Sequence, residues 1–276
     1  MSEDAPTFSI GGVEATPPRA ERMSMLLWGQ AGVGKTTLAS TLPGKLALIN
    51  FDPDGPASIP DAENVSVFDL SGVANSKAIN LMKSENEPFG VSEDMLNYFD
   101  GFIVDSLTSI EERTLSHGIK EIKGATLERP SPGAYQARNN VLVSGVRNLL
   151  AVTGRAKKHV CLIAHEGGLN TTDEGVALNI TVALGGKNPQ NIASKINECW
   201  NMFEDSKNRK MIIVRKGRMR EPLKSRMFDT MEDYEFEWQW NTRDRSDPLN
   251  MWIKEWYDEW KEGGFKKLML PKKRNK

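Results

Sequence analysis

The feature that most constrains the fold is a glycine-rich stretch placed between an apolar run and a helical pattern. Its spacing is G-x-x-x-x-G-K-T, with Gly29, Gly34, Lys35 and Thr36 at the fixed positions. The run "MSMLLW" before it predicts a buried strand, and "TTLASTL" after it predicts a helix. A strand, a tight turn and a helix in this order predict an α/β fold built on a mainly parallel sheet.

Such a turn is suited to holding phosphate groups. Its glycines let consecutive backbone N–H groups point inward, and the start of the helix adds the positive end of a dipole. Lys35 is expected to reach the β- and γ-phosphates of a nucleotide, and the Thr36 hydroxyl to ligate Mg²⁺. The residues expected to surround the phosphates are Gly29, Gln30, Ala31, Gly32, Val33, Gly34, Lys35, Thr36 and Thr37.

A carboxylate downstream completes the predicted metal site. In "FDGFIVDSL" an apolar run from Phe102 to Val104 ends in Asp105. This is a Walker B pattern, in which a carboxylate at the carboxyl end of a parallel strand holds Mg²⁺ beside the phosphate loop. The sequence therefore predicts a metal held by Thr36 and Asp105.

Composition limits the classes to which the chain can belong. The formal net charge over 276 residues is −1, so any contact with nucleic acid has to come from local basic patches. No apolar run approaches the ~20 residues that a membrane span needs, and the acidic start is unlike a signal peptide. Cys161, in a strand-like run, and Cys199, in a helix-like run, are expected to be buried free thiols. We expect a cytoplasmic protein without a membrane partner.

The central patterns extend the parallel sheet. Two strands, at 45–51 and 64–70, are predicted between the phosphate-loop helix and Asp105. They suggest an extra strand between the phosphate-loop strand and the Walker B strand. Helices are predicted over 107–122 and 137–154, with a proline-containing loop at 124–136 between them.

The C-terminal patterns differ from the central ones. After a buried strand at 159–165, a strand pair with a basic turn is predicted from 210–217 and 221–228. The expected architecture is a mainly parallel, twisted sheet flanked by helices, with antiparallel strands at the C-terminal side. One helical stripe follows, formed by Trp252, Trp256 and Trp260. It either packs on the protein's own core or forms a partner interface.

Four stretches together resemble the RecA-like ATPase core, and especially the small phage-encoded, core-only RecA relatives that anneal single strands. They are the phosphate loop, "LINFDPDG", "FIVDSLTSI" and "VCLIAHEGG". The resemblance implies a RecA-like P-loop NTPase fold, ATP and Mg²⁺ as ligands, and DNA-stimulated ATP hydrolysis. The resemblance covers an expected ATPase core at 21–240. Composition predicts a flexible N-terminal arm at 1–20, rich in proline, glycine and acidic residues, and a Trp-rich helix with a basic tail at 241–276.

The resemblance assigns roles to individual residues. Asp54 takes the place of the glutamate that polarises the attacking water, one methylene shorter, with Asp52 as a second candidate. His165 takes the place of the strand-end residue that senses the γ-phosphate. Arg215, in a basic segment with Lys216 and Arg218, matches the residues that reach a neighbour's ATP, so a homo-oligomer, ring or filament, is expected. The implied catalytic set is Lys35, Asp54, Asp105, His165 and Arg215.

Single-stranded DNA is the partner that the resemblance implies. The family's first DNA loop corresponds to about 122–138, where the candidates are Lys123, Arg129, Tyr135 and Arg138. Its second DNA loop corresponds to 166–186, which is polar and carries acidic residues. A single-strand-binding protein is a further candidate partner, and a phage-encoded protein would act in the host cytoplasm.

Other functions fit the same motifs. A packaging or helicase-loading ATPase is the main alternative, and a small-molecule kinase is another. A nucleotide-gated interaction protein with little hydrolysis would use the Trp helix for docking. DNA-stimulated ATP turnover separates the first interpretation from the last.

Overall fold

The computed structural model describes residues 9–10, 13–14, 22–53, 59, 63–122, 126, 130–172, 174–175, 177–215, 219–231, 233–239 and 251–272.

The N-terminal hairpin is the first element of the fold. Strands β1 (Ser9–Ile10) and β2 (Val13–Glu14) pair antiparallel within the chain. Most of the predicted arm lies outside the described residues, so its flexibility stays a prediction.

One large mixed sheet forms the centre of the described part of the chain. Its strands are β3 (Ser24–Gly29), β4 (Leu46–Asn50), β5 (Val65–Asp69), β6 (Gly101–Asp105), β7 (His159–Thr171), β8 (Ala177–Val182), β9 (Glu198–Glu204), β10 (Lys210–Ile213) and β11 (Glu235–Glu237). They are ordered β11-β10-β9-β3-β7-β6-β4-β5, and β8 pairs with β7 beside this row. Neighbours from β9 to β5 run parallel, whereas β10 and β11 are antiparallel. The predicted fold class is confirmed.

One strand separates the phosphate-loop strand from the Walker B strand, as expected, but it is not one of the two that precede Asp105. The separating strand is β7, which comes later in the chain, while β4 and β5 lie beyond β6. Parallel neighbours are joined by long crossover connections, so the order along the chain does not fix the order in the sheet.

Helices cover both faces of the sheet. They are α1 (Lys35–Ala39), α2 (Asn75–Lys83), α3 (Glu93–Tyr98), α4 (Leu107–Glu121), α5 (Pro132–Arg155), α6 (Asn188–Ala193) and α7 (Ile253–Glu262). One core cluster holds residues of α2, α4, α5 and α6, and a second holds residues of α1 and α7. Leu26 belongs to the first cluster and Leu27 to the second, because successive side chains of a strand point to opposite faces.

Helix α5 begins earlier than the sequence predicted. Residues 132–136 were expected to be loop, but the helix starts at Pro132. The Ser131 hydroxyl accepts a hydrogen bond from the Ala134 N–H at 3.3 Å, as an N-cap does. Proline is favourable at the first helical position because its missing N–H has no partner there. Tyr135 and Arg138 therefore lie on a helix rather than on a loop.

The strand pair predicted from 210–217 and 221–228 is wrong. Strand β10 pairs with β9 on one side and β11 on the other. In the described chain the second segment forms no ladder with the sheet and makes isolated bridges instead, such as Cys199 to Lys224. Pro222 lacks the N–H that a continuous ladder requires, which opposes a strand at this position.

The Trp stripe packs on the protein's own core. Trp256 and Trp260 are 1% and 5% exposed. The Trp256 ring lies 6.0 Å from that of Trp200, between ring centroids, and 5.7 Å from that of Phe228. Of the two interpretations left open by the sequence, core packing is therefore the correct one. The domain boundaries at residues 20 and 240 stay predictions.

Both cysteines are buried free thiols, as predicted. Cys199, however, lies on strand β9 and not on a helix. The Cys199 Sγ donates to the Pro222 carbonyl at 2.9 Å. Burial raises the pKa of both thiols well above the usual range.

His159, at the start of β7, is held neutral inside the fold. Its Nδ1 accepts a hydrogen bond from the Met23 N–H at 3.0 Å, so this nitrogen carries no proton. The Tyr257 ring packs edge-on against it, with 4.9 Å between centroids. Desolvation lowers the pKa of His159 to about 4, although Asp100 opposes the shift.

We expect the free energy of unfolding to fall as the pH drops from about 6.5 to about 4. The unfolded chain binds a proton at this histidine in that window and the folded chain does not, which costs about 3 kcal/mol at the acid end. Urea unfolding at several pH values measures the effect. His159→Asn keeps an acceptor near Nδ1 and should flatten the profile, whereas His117→Asn, on α4, should not. Equal profiles for His159→Asn and the unchanged protein would contradict this.

Candidate nucleotide-binding site

The glycine turn connects β3 to α1 as the sequence predicted. Strand β3 ends at Gly29 and α1 starts at Lys35. A Cβ atom at Gly29 would lie 1.8 Å from the Met202 carbonyl oxygen of β9, so only glycine fits there. Gly34 adopts φ 99°, a left-handed conformation that glycine allows without strain. The backbone thus curls over the end of the sheet.

Lys35 lies inside this turn. Its Nζ donates to the Gly29 carbonyl at 3.1 Å and to the Gln30 carbonyl at 2.6 Å. Desolvation lowers the pKa of Lys35 to about 8, although Asp105, Asp52 and Glu166 oppose the shift. A polyanionic ligand in the turn would favour the charged ammonium and replace its carbonyl partners.

Thr36 and Asp105 meet beside the turn, as predicted. The Thr36 hydroxyl donates to Asp105 Oδ2 at 2.6 Å. Asp105 is 3% exposed, and this burial raises its pKa despite the hydrogen bond from Thr36. A carboxylate and a hydroxyl are hard oxygen donors of the kind Mg²⁺ takes together with phosphate oxygens. These residues fit the metal, because a cation at this point would relieve the buried carboxylate.

Asp52 and His165 form a second polar pair in the site. His165 Nε2 lies 3.3 Å from Asp52 Oδ2. The hydroxyls of Ser106 and Ser109 donate to Asp52 Oδ1. Burial would raise the pKa of Asp52, but the bonds from His165 and the two serines outweigh it and lower the pKa. Asp52 therefore stays ionised. Asp54, the first candidate from the sequence, lies outside the described residues.

Two supporting side-chain contacts were not foreseen from the sequence: those of Asn50, which no predicted set includes, and that of Gln30, which is among the residues expected around the phosphates. Asn50 is fully buried at the end of β4, where its Nδ2 donates to the Asp52 carbonyl at 2.6 Å and to Asp69 Oδ1 at 3.1 Å. Gln30 Oε1 accepts from the Glu204 N–H at 2.9 Å. The signal for Asn50 was an amide closing the apolar run "LALIN". Gln30 had no such signal, because its partner is distant in sequence.

The described cross-subunit and DNA candidates, Arg215, Tyr135 and Arg138, make their contacts with other parts of the fold. Arg215 is exposed, and its Nη1 donates to the Thr230 carbonyl. Tyr135 is 40% exposed, whereas Arg138 is 7% exposed. The Arg138 guanidinium lies 5.0 Å from the Tyr135 ring centroid and 3.7 Å from the carboxylate of Glu111. The Arg138 guanidinium thus already has partners within the fold. The remaining candidates, Lys123, Arg129, Lys216 and Arg218, lie outside the described residues.

The stretch assigned to the second DNA loop is a hairpin. Strands β7 and β8 pair antiparallel, and Leu169 and Leu178 on them are 52% and 53% exposed. A third segment adds to β8: the Ile180 N–H donates to the Met219 carbonyl at 2.8 Å, and the Glu221 N–H to the Ile180 carbonyl at 3.1 Å. The hairpin is therefore hydrogen-bonded to Met219 and Glu221.

Strand, glycine turn, helix and facing carboxylate define a P-loop site of the ATPase type. The family model described as the AAA domain matches residues 21–237, which is most of the chain. The chain belongs to this family, and ATP binding and hydrolysis are the activities that membership supports. A search of curated proteins found no match. None of the described helices is both long and apolar enough to cross a membrane.

Proposed function

We propose that the protein is an ATPase of phage-type recombination that binds single-stranded DNA and anneals or pairs strands. The observation that supports this most is the continuity of β7. The strand carries His165, beside Asp52 in the nucleotide site, and runs on into the exposed hairpin, with a register shift in its pairing to β8 between Glu166 and Leu169. A change in the contacts of His165 would therefore shift the position of the hairpin, because both belong to one strand.

Several exposed side chains of the described chain suit a flexible polyanion with apolar bases. Leu169 and Leu178 of the hairpin offer aliphatic surface, and Arg215, after β10, offers a positive charge. Tyr135 adds an exposed ring on which a base can stack. Because the overall charge is only −1, attraction to DNA depends on such local groups.

Five side chains of the site have a part in the proposed hydrolysis. Lys35 and the N–H groups of the turn would hold the phosphates, and Thr36 with Asp105 would hold Mg²⁺. Bound Mg²⁺ would neutralise charge on the phosphate oxygens. Asp52, kept ionised by its neighbours, accepts a hydrogen bond from the attacking water, and His165 responds to the γ-phosphate.

Assembly is part of this proposal. Arg215 is exposed, so it is available to an ATP bound by a neighbouring subunit. A cation supplied in this way stabilises charge that develops on the γ-phosphate. Turnover per subunit should then rise with protein concentration, in a ring or a filament.

We expect single-stranded DNA to increase ATP turnover, and Tyr135→Ala to weaken binding of the DNA by about 1–3 kcal/mol through loss of base stacking. Anisotropy of a labelled oligonucleotide with ATP present measures the affinity, and phosphate release measures turnover. Tyr98→Ala is the control, since Tyr98 is an exposed tyrosine on α3 at 59% exposure.

A different outcome would redirect the proposal. Stimulation by duplex DNA alone would favour a packaging or helicase-loading ATPase. Equal losses for Tyr98→Ala and Tyr135→Ala would remove the stacking role of Tyr135. No binding to single-stranded DNA in the presence of ATP would remove the proposed function.

A further inference from the structure

A second lysine borders the phosphate loop. Strand β10 runs antiparallel to β9, so it begins at the edge of the sheet where β3 and β9 end. Its first residue, Lys210, pairs with Glu204, two positions beyond the partner of Gly29. The topology therefore brings Lys210 to the edge that carries the glycine turn.

The ammonium of Lys210 reaches the turn itself. Its Nζ lies 3.5 Å from the position that a Cβ atom would take at Gly34. The Trp238 ring lies 3.4 Å from the same position, and the backbone N–H of Trp238 donates to the Lys210 carbonyl at 2.8 Å. The indole Nε1 of Trp238 donates to the Met251 carbonyl at 3.3 Å. The backbone of Lys210 is thus fixed by its hydrogen bond with Trp238 on one side and by its pairing with Glu204 of β9 on the other.

We propose that Lys210 is a second phosphate-binding lysine, acting in its own subunit on the α- and β-phosphates of the nucleotide. This rests on the nucleotide site proposed above. In the sheet, β10 lies on one side of β3, while β7 and β6 lie on the other. His165 and Asp105 belong to β7 and β6, so the γ-phosphate and metal are expected on that other side. Lys210 lies on the side where the remaining phosphates are expected.

Charge balance in the site favours such a residue. Asp105 and Asp52 both border the turn, and their carboxylates oppose a polyanionic ligand. Coulomb interactions are strong where groups are shielded from water, and Asp105 is 3% exposed. A second ammonium next to Gly34 lowers this cost. No local sequence pattern predicts that Lys210 lies next to Gly34, since the two residues are far apart along the chain.

The test compares Lys210→Met with Lys210→Arg. Methionine keeps an unbranched side chain beside Trp238 and removes the charge, whereas arginine keeps the charge. We expect Lys210→Met to weaken ATP and ADP binding about tenfold each, as for a lost charge-assisted hydrogen bond. Lys210→Arg should stay within about threefold of the unchanged protein. Lys207→Met, an exposed lysine in the preceding turn, is the control. Calorimetric titration gives the affinities, and thermal melts verify folding.

Several results would overturn the proposal. Binding of ATP and ADP by Lys210→Met as tight as that of the unchanged protein would remove the contact. Equal losses in Lys210→Met and Lys210→Arg would point to support of the loop rather than to charge. A loss confined to ATP would place Lys210 at the γ-phosphate. If the unchanged protein bound neither ATP nor ADP, the nucleotide site itself would be wrong, and this result is distinct from the other three.

Discussion

Lys35→Ala will bind ATP at least about a hundredfold more weakly than the unchanged protein. Lys35 is 6% exposed and its Nζ lies within the turn, against two loop carbonyls. Removing one partner of a buried, hydrogen-bonded charge pair costs about 3–5 kcal/mol, because the other charge is left uncompensated. Calorimetric titration with ATP measures the loss.

Lys77→Ala is the matched control for this variant. Lys77 is an exposed lysine on α2, so its replacement tests only the general loss of one positive charge. It should bind ATP as the unchanged protein does. Near-normal affinity in Lys35→Ala would refute the phosphate-loop assignment, and with it the proposed ATPase function.

Asp105→Asn will reduce Mg²⁺-dependent ATP hydrolysis by about three orders of magnitude. The amide keeps the size of the carboxylate and can still accept from Thr36, but it is a poor ligand for Mg²⁺. The lost charge stabilisation on the phosphates is worth several kcal/mol. Phosphate release with saturating ATP and Mg²⁺ measures kcat, and ATP affinity in EDTA should change little.

Asp100→Asn provides the comparison at the opposite edge of the sheet. Asp100 precedes the same strand, β6, and its carboxylate is 53% exposed. Its replacement should leave hydrolysis intact. If Asp105→Asn retained more than a tenth of the original kcat, Asp105 would not be the metal ligand.

The centre of the site could be predicted because its parts are local. The phosphate loop depends on residues next to one another, and Asp105 follows an apolar run that forms a buried strand. Parallel strands end at one edge, so their terminal polar residues converge there. Thr36 and Asp105 meet for this reason, as do Asp52 and His165.

The remaining features depend on contacts between distant segments. Lys210 reaches Gly34 only because β10 folds back along β9, and no local pattern encodes that pairing. The assignment of Cys199 to a helix fails because its run fits either element. The late start predicted for α5 has a local cause instead, since proline is found both in loops and at the first position of a helix.

The burial of both thiols has a practical consequence for spectroscopy. Cys161 and Cys199 are each 0% exposed, and a thiol with a strongly raised pKa supplies almost no thiolate for alkylation. A maleimide dye added to the folded protein will therefore react at a single introduced cysteine without removal of the native ones. Placing that cysteine at Thr171, near the tip of the hairpin, would turn movement of β7 into a fluorescence signal.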